Sequence, residues 1–444
     1  MNDPQTGLNT ALLLVDAAIA SGADDAEVYG QFGPTFRIAL QWPHSTENGG
    51  WQNELALRVW CGQQTSVLVT DQTSPQAFNA LALSAVSQAR RSSTSLDAQL
   101  CDTRGSRIFP CTRSLIKQTR IEERDALKQL LEEAKRVPRF ASAIVNADFL
   151  ETSPWTVIAN SRGCAAAYER HESTVWLWVE HEDGRLAEGL FGPTFSESER
   201  KLLVRRLADR ASFLDQRTYH VPPGPCEVLL SPSATAGVAA TLGTLLAADN
   251  VLCNLPALLK HMDQLIAGSA VTVIDDGTVT GGMQGRPVDD EGTPTCSTTL
   301  IEEGRLRAFL HTRRTSHQLG VTPNGKATRT ALWALPRSAP SNIYIQAGHT
   351  VPTELWGQIR RGLIVLHVRE PGRIQGGGGR FTITVDGWWV ENGEIMYPVA
   401  AVNLSANIFA LLRSIRQCGN DLEFSFMSNG AGGPSLLVDE MWIS

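Results

Sequence analysis

The sequence predicts a two-domain α+β protein, with an N-terminal α/β domain of mixed sheet and helices and a C-terminal β-rich domain. The 444 residues are about three times the length of an ordinary domain. Helix-like and strand-like patterns mix in the first half, whereas short apolar strands and Gly-rich turns dominate the second. Between the halves, "YHVPPGP" carries three prolines that interrupt regular structure. We therefore place the domains at residues 1–218 and 219–444.

The N-terminal domain is predicted to begin with a helix over residues 8–22, because apolar residues recur there at helical spacing and Gly22 suits a C-cap. Strand-like stretches separated by turn residues follow, and they cover residues 25–32, 35–42 and 54–62. A second helix over 74–91 has Ser74 as its N-cap and Pro75 at its first position.

A third helix is predicted around residues 121–137, and a fourth over 196–218 leads to the domain boundary. Alternating strands lie between these two helices, at residues 141–152, 156–163 and 173–184. In the last of them both faces are apolar, since Trp176 and Trp178 alternate with aliphatic residues. This pattern indicates a central or doubly covered strand.

Composition excludes several classes of function. Lys and Arg number 39 against 46 Asp and Glu, a net charge of −7, so no excess of positive charge favours nucleic acid as a partner. The N-terminus has no basic region before its apolar residues and no apolar run long enough to span a membrane. Eight scattered cysteines without CxxC spacing are typical of buried hydrophobic residues. We expect a cytoplasmic protein that acts on neither nucleic acid nor membrane.

The second half contains a series of specific segments. They are "VIDDGTV" at 273–279, "GRPVDDEGTPT" at 285–295, "LIEEGRLRAFLHTRRTSHQLGVTPNGKATR" at 300–329, "GWWVENGEIMYPV" at 387–399 and "CGNDL" at 418–422. In this order they resemble the TldD/PmbA family, also called the modulator of DNA gyrase family and regarded as peptidase subunits. "GADDAEVYG" and the strand ending near "YERHEST" are similar to that family's N-terminal domain, so the resemblance covers nearly the whole chain.

The resemblance implies a mechanism shared between two branches. TldD-like chains carry a helical HExxxH sequence whose two histidines hold zinc and whose glutamate acts as general base, and a cysteine near the C-terminus supplies another ligand. TldE- or PmbA-like chains lack these residues and pair with a catalytic chain, so that the heterodimer encloses the cleavage chamber. Neutral imidazole and thiolate are the ligands that such a zinc site requires.

By this resemblance, "AATLGT" at residues 239–244 occupies the HExxxH position. Ala239 and Thr244 stand in place of the histidines, and Ala240 in place of the glutamate. Alanine has no donor atom and a threonine hydroxyl is a poor zinc ligand, so we expect no metal site and no catalytic residues. No cysteine follows "GND", and Cys418 precedes that motif, so the third ligand is missing as well.

The helix around this stretch is predicted to survive the loss of its chemistry. Ser231 and Pro232 suit its start, and an apolar stripe follows at helical spacing: Val238, Leu242, Leu245 and Leu246. Residues 239 and 244 are separated by about 140° on a regular helix, so catalytic chains must distort theirs to bring two ligands together. The resemblance makes Gly243 the expected place for that distortion.

Other candidate sites have simpler interpretations. His311 and His317 are six residues apart, which neither helix nor strand spacing brings together, and His171 and His181 flank a strand whose ends are expected to be solvated. A nucleophilic serine at Ser231 or Ser233 lacks a GxSxG elbow and assignable partners.

Two further motifs remain. The acidic cluster Asp289, Asp290 and Glu291 favours a structural turn, in which Asp290 or Glu291 caps backbone donors and Gly292 takes a conformation that suits glycine. The glycines of "IQGGGGRFT" lack P-loop spacing. We predict that they contact peptide substrate, with a flexible surface loop as an equal alternative; they are Gly376, Gly377, Gly378 and Gly379.

The sequence therefore predicts a non-catalytic TldE/PmbA-like subunit of a heterodimeric zinc metallopeptidase. It would need no cofactor itself, would pair with a TldD-like chain that brings zinc, and would help to enclose and bind peptides for proteolysis or maturation. "VDDEGTPT" and "GVTPNGKATR" are closer to the catalytic branch, which leaves a homodimer open. A stand-alone peptide-binding or regulatory protein, or a divergent hydrolase with another site, are the alternatives.

Overall fold

The computed structural model describes residues 3–41, 44–94, 99–102, 105–109, 120–181, 184–192, 194–214, 219, 221–279, 282–370 and 379–444. The helices of the first half are α1 (Pro4–Ala20), α2 (Pro75–Ala89), α3 (Arg120–Arg136) and α4 (Glu197–Leu214). Its strands are β1 (Asp25–Gln41), β2 (His44–Cys61), β3 (Gln64–Thr70), β4 (Gly105–Phe109), β5 (Ile144–Thr152), β6 (Trp155–Asn160), β7 (Cys164–Glu169), β8 (Glu172–His181) and β9 (Gly184–Gly192).

These strands form one mixed, nine-stranded sheet within the described ranges. Only β4 and β7 pair in parallel there, and the remaining pairs are antiparallel. Strands β1 and β2 pair with each other along the whole length of β1, from Asp25 to Gln41. On its other edge β1 pairs first with β6 and then with β5.

The predicted break between strands 25–32 and 35–42 is wrong, because β1 continues through Gly33 and Pro34. The ladder to β6 ends at Phe32 and the ladder to β5 begins at Thr35. The proline therefore lies where β1 changes partners, the place at which a missing N–H disturbs the pairing least.

Two pairs of helices cover separate parts of this sheet. Helices α1 and α2 pack on the β1–β2–β6–β7 part, with Leu14 and Phe32 in its core. Helices α3 and α4 pack on the part that contains β5 and β8, with Leu127 and Leu177 in its core. The predicted cap of α2 is confirmed, since the Ser74 hydroxyl accepts from Ala77 N and Pro75 opens the helix. Strand β8 is central in the sheet as predicted, between β5 and β9.

The second half is rich in strands. Its helices are α5 (Pro232–Leu245), α6 (Ala248–Asn254), α7 (Arg313–Leu319), α8 (Pro352–Trp356) and α9 (Ile408–Ser414). Its strands are β10 (Gly224–Leu230), β11 (Val273–Asp276), β12 (Ser297–Glu302), β13 (Arg305–Leu306), β14 (Ala327–Thr328), β15 (Arg337–Ser338), β16 (Ile343–Ile345), β17 (Arg361–Glu370), β18 (Arg380–Glu391), β19 (Glu394–Asn407), β20 (Ile415–Cys418), β21 (Glu423–Ser425), β22 (Ala431–Gly433) and β23 (Leu436–Ile443).

Strands β10, β17, β18, β19 and β23 close into a barrel, because β10 pairs with both β17 and β23. A second sheet has the order β13-β12-β11-β16-β22-β21. Helix α5 contacts β17 of the barrel and β16, β21 and β22 of the second sheet, so one hydrophobic core joins all three. The α+β class and the β-rich second half agree with the prediction, while the boundary at 218/219 stays a prediction. None of the helices described is both long and apolar enough to cross a membrane.

Candidate functional site

Helix α5 begins where the sequence predicts. Ser231 is its N-cap residue in extended conformation and Pro232 occupies the first turn. The predicted apolar stripe is buried in the C-terminal core: Val238, Leu242, Leu245 and Leu246 are at most 5% exposed. Apolar packing of this stripe therefore holds the helix against the C-terminal core.

The stretch 239–244 points its side chains to two different sides of α5. Ala239 is completely buried in the core, Ala240 is half-buried and Thr244 is exposed. The Thr244 hydroxyl donates to the Ala240 carbonyl oxygen at 3.3 Å, one turn back along the helix. Ala240 and Thr244 thus share the outer face, whereas a side chain at 239 faces inward. The three positions taken together offer one hydroxyl and no imidazole or carboxylate.

Gly243 lies within regular helix, and close packing explains it in this chain. A Cβ atom added there would lie 2.7 Å from Pro340 Cγ and 3.2 Å from Ile343 Cδ1. The distortion expected at Gly243 for a metal-binding helix is not seen here, because α5 continues through it to Leu245.

The segment after "GND", where the resemblance would place the C-terminal ligand, lies next to α5. Strands β21 and β22, which follow "GND", pack on the helix, and a Cβ at Gly433 would overlap the Thr235 side chain. Cys418 lies before them, and its buried thiol donates to the Ala270 carbonyl at 3.3 Å. Burial raises the pKa of Cys418 to about 11. Its burial and raised pKa are typical of a structural thiol.

The donor set does not fit a zinc ion. Across the described ranges, no three His, Cys, Asp or Glu side chains are grouped so that they could hold a metal. His311 is buried against Phe309, and burial lowers its pKa to about 4, while His317 is exposed. The expectation that His171 lies at a solvated strand end is wrong, because His171 is buried, with Nε2 3.6 Å from Glu151 Oε1. The side chain of His181 lies outside the described part.

The acidic cluster forms a buried turn, as the sequence predicts. Gly292 has φ of +78°, a conformation that suits glycine. Asp290 accepts from Arg329 N at 2.6 Å and Glu291 from Arg313 N at 2.8 Å. The prediction gave the capping role to Asp290 or Glu291 and not to Asp289, which accepts from three backbone N–H groups: Glu291 and Thr293 within the turn and Ala327 of β14. Burial raises the pKa of both Asp289 and Glu291.

This turn also joins the two halves of the chain. Gly292 lies against Cys164 of β7, and its carbonyl oxygen accepts from Arg107 of β4 at 3.3 Å. Nearby, the buried Glu27 of β1 forms ion pairs with Arg58 and Arg329. Sequence analysis missed these contacts, since nothing local to Glu27 marks a partner 302 positions away.

Another buried ion pair links two of the quoted segments. Lys326 of "PNGKATR" and Asp275 of "VIDDG" have side chains with no exposed surface, and Nζ lies 2.6 Å from Oδ2. Lys326 also donates to the Cys296 carbonyl oxygen, and Asp275 accepts from the Ser341 amide and hydroxyl. The pair fastens the loops beside β11 and has no access to a substrate.

The predicted substrate glycines are described only in part. Gly376, Gly377 and Gly378 lie outside the described residues. Gly379 has φ of +72°, and its carbonyl oxygen accepts from Ile408 N at 2.8 Å at the start of α9. The serines of the α5 start form no catalytic arrangement, since the Ser231 hydroxyl donates to the Leu366 carbonyl and lies 3.2 Å from that of Ser233.

An apolar edge lies beside α5. Strand β21 is the last in the order of the second sheet, so its outer edge has no strand partner within the described residues. Phe424 on this strand is 45% exposed and Met427 just after it 52%. Tyr344 of β16, in the same sheet, packs edge-on against Phe424, with ring centroids 5.6 Å apart. The arrangement provides a strand edge and apolar side chains for contact with another chain.

Comparison with known proteins assigns the family. The model for the PmbA/TldA metallopeptidase C-terminal domain matches residues 223–444, half of the chain. The chain belongs to the PmbA/TldD family. The family match begins near residue 219, where the second domain is predicted to start.

Relatives of this PmbA/TldD chain include a metalloprotease of Methanothermobacter thermautotrophicus, 31% identical over 240 residues, which are 54% of this chain and 52% of that protein. The chain spans about half the length of the curated relatives it matches.

Two solved structures share the fold over nearly the whole chain. One is a Thermotoga maritima protein whose name refers to modulation of a DNA gyrase, with TM-score 0.81, 21% identity and coverage of 98% of this chain and 99% of that one. The other is TldE from Thermococcus kodakarensis, with TM-score 0.79, 16% identity and coverage of 98% and 100%. At these identities the likeness concerns the fold.

Proposed function

We propose that this chain is a non-catalytic, TldE/PmbA-like subunit of a heterodimeric zinc metallopeptidase. The observation that carries the proposal is the outer face of α5. Ala240 and Thr244 share that face and Ala239 is buried, so the helix offers neither two imidazoles nor a carboxylate. A TldD-like partner chain would bring the zinc and the general base. The absence of a fitting donor set among the described residues supports the same division of labour.

The contribution of this subunit would be a wall of the peptide chamber. The outer face of α5 carries only small side chains: Ser233, Gly237, Ala240, Thr241 and Thr244. Small side chains let a peptide or a partner backbone approach closely. The neighbouring edge strand β21, with Phe424 and Met427 exposed, would supply main-chain and apolar contacts. We infer further that the protein works in the cytoplasm, since its eight cysteines are scattered along the sequence without the dense pattern of a secreted disulfide framework.

Reconstitution with a TldD-like chain tests the proposal. An unstructured peptide is incubated with each chain alone and with the equimolar mixture, and products are followed by mass spectrometry. We expect cleavage only in the mixture, and none when the partner's HExxxH histidines are replaced by alanine. Zinc analysis of each purified chain should locate the metal in the partner. Cleavage by this chain alone, unchanged by substitution at Ala239 or Thr244, would falsify the proposal.

A further inference from the structure

A pocket of about 310 Å³ opens beside the first turn of α9. It lies between that turn and the 3₁₀ helix Pro256–His261. Leu258 and Ile266 line it and are 7% and 2% exposed, and both belong to the C-terminal core. Leu255 and Phe409 also line it, partly buried and packed against the same core. The volume is at the lower end of the range of about 300–1,000 Å³ for ligand pockets. A pocket of this size suits a single residue of a bound peptide and not an extended peptide segment.

The charge at the pocket has one sign. Arg413 lines it and is exposed, and no Asp or Glu is among the lining residues. In the described part of the chain, no carboxylate lies within ion-pair distance of its guanidinium. His261, also in the lining, has Nδ1 3.0 Å from Gln264 Oε1. An apolar pocket with an unneutralised arginine at its rim is complementary to an apolar group that carries a carboxylate.

The pocket adjoins Gly379, the described member of the glycines predicted to contact substrate. Gly379 is the last of the four predicted glycines, and it packs against Ile408. A Cβ atom added at Gly379 would lie 2.9 Å from Ile408 Cγ2 and 3.7 Å from Phe409 Cδ2. Phe409 is therefore both a neighbour of this glycine and a lining residue of the pocket. A peptide bound alongside Gly379 could therefore place its terminal residue in the pocket.

We propose that the pocket binds the C-terminal residue of a peptide, with an apolar side chain inside and the α-carboxylate paired with Arg413. The choice of a peptide as ligand rests on the proposed function. The carboxylate and the apolar side chain follow from the pocket itself. Apolar burial supplies affinity for the side chain, and the charge-assisted hydrogen bonds of Arg413 supply selectivity for a free carboxyl end.

Calorimetric titration of the purified full chain tests this, with N-acetyl-L-leucine as probe and N-acetyl-L-leucinamide as its uncharged counterpart. For ligands of this size we expect a Kd of about 1 mM for the acid. The amide should bind at least about tenfold more weakly, because it lacks the charge. Arg413→Ala should remove the preference for the acid, and Arg413→Lys should restore part of it. Ala257→Trp, which places a bulky ring in the lining, should weaken both probes.

Arg205→Ala is the matched control, since Arg205 is exposed on α4, away from this pocket. It should leave both affinities unchanged, and thermal unfolding should show that each variant folds. Equal binding of acid and amide, an Arg413→Ala variant that keeps the preference, or no binding of the acid up to about 10 mM would each overturn the proposal. The titration needs neither partner nor cleavage, so its failure is distinguishable from failure of the proposed subunit function.

Discussion

Histidines installed at Ala240 and Thr244 should create a metal site on α5, whereas histidines at Ala239 and Thr244 should not. Residues four apart on a helix lie on one face with neighbouring Cβ atoms, and the Thr244 hydroxyl already reaches the Ala240 carbonyl oxygen. Ala239 has no exposed surface and faces the core. Comparing the two double variants shows whether zinc binding on α5 depends on the geometry of the helix as well as on the identity of its residues.

With zinc present, the two double variants are expected to change Tm in opposite directions. Two histidines on the outer face cost about 0.7 kcal/mol in helix propensity, nearly all of it at Ala240, since His and Thr have similar propensities. Zinc at about one hundred times its Kd then stabilises the folded state by about 2.7 kcal/mol. For a domain of this size that raises Tm by about 5–11 °C. A histidine at Ala239 costs about 1–3 kcal/mol in overpacking and about 1–3 kcal/mol for buried ring nitrogens without partners. Its Tm should fall by about 4–24 °C, with no rescue by zinc.

Differential scanning fluorimetry with and without zinc, followed by a chelator, measures these shifts. Ala240→His alone is the control for single-site binding and should show a much smaller zinc-dependent rise. The reasoning is refuted if the Ala239/Thr244 pair gives the larger rise with zinc. It is also refuted if the Ala240/Thr244 pair gives none.

Three further predictions concern the buried groups. Lys326→Met should lower the free energy of unfolding by about 3–5 kcal/mol, since it leaves a buried carboxylate without its ion-pair partner, whereas exposed Lys260→Met should change it by less than about 0.5; urea unfolding compares the two. Gly292→Ala should cost about 2–5 kcal/mol, from positive φ plus overpacking, against about 1–2 for Gly62→Ala, which has positive φ and open space; both are read from thermal unfolding. Burial raises the pKa of Glu291. The folded protein therefore holds this proton more tightly than the unfolded chain, and this group's contribution to the free energy of unfolding is lost as pH rises above the unfolded pKa. Glu291→Gln should therefore reduce the fall in the free energy of unfolding between about pH 5 and about pH 8. An unchanged slope of this free energy against pH would contradict the raised pKa of Glu291.

Local signals in the sequence located helices α1 to α5, whereas the shorter helices α6 to α9 were not placed. Ser74 with Pro75, and Ser231 with Pro232, mark helix starts because capping depends on residues that are neighbours in the chain. The continuity of β1 could not be predicted in the same way. A Gly-Pro pair usually interrupts a strand, and only the exchange of β6 for β5 on one edge makes it acceptable here.

The same distinction between local sequence signals and tertiary packing holds for the candidate site. The missing donors at residues 239–244 follow from residue chemistry once the family resemblance places the motif. Which of these residues face outward does not follow, because it depends on the core that α5 meets. The pairing of Lys326 with a partner 51 positions away is likewise a product of tertiary packing. The hydrophobic pattern predicts that a region is buried, but it does not predict which buried charges meet.

The way α5 is held explains how a chain of this fold can do without the metal. Where zinc is structural, its removal unfolds the domain, because the ligands contribute the folding free energy. Here the apolar stripe, the contact of Gly243 with Pro340 and that of Thr235 with Gly433 fix the helix from its inner side. Ala239 is buried in the core, whereas Ala240 and Thr244, the other two positions of the missing zinc chemistry, lie on the outer face, which contributes little to this packing. Substitutions there can remove chemistry at little cost in stability, which is the condition that a non-catalytic subunit of a peptidase has to meet.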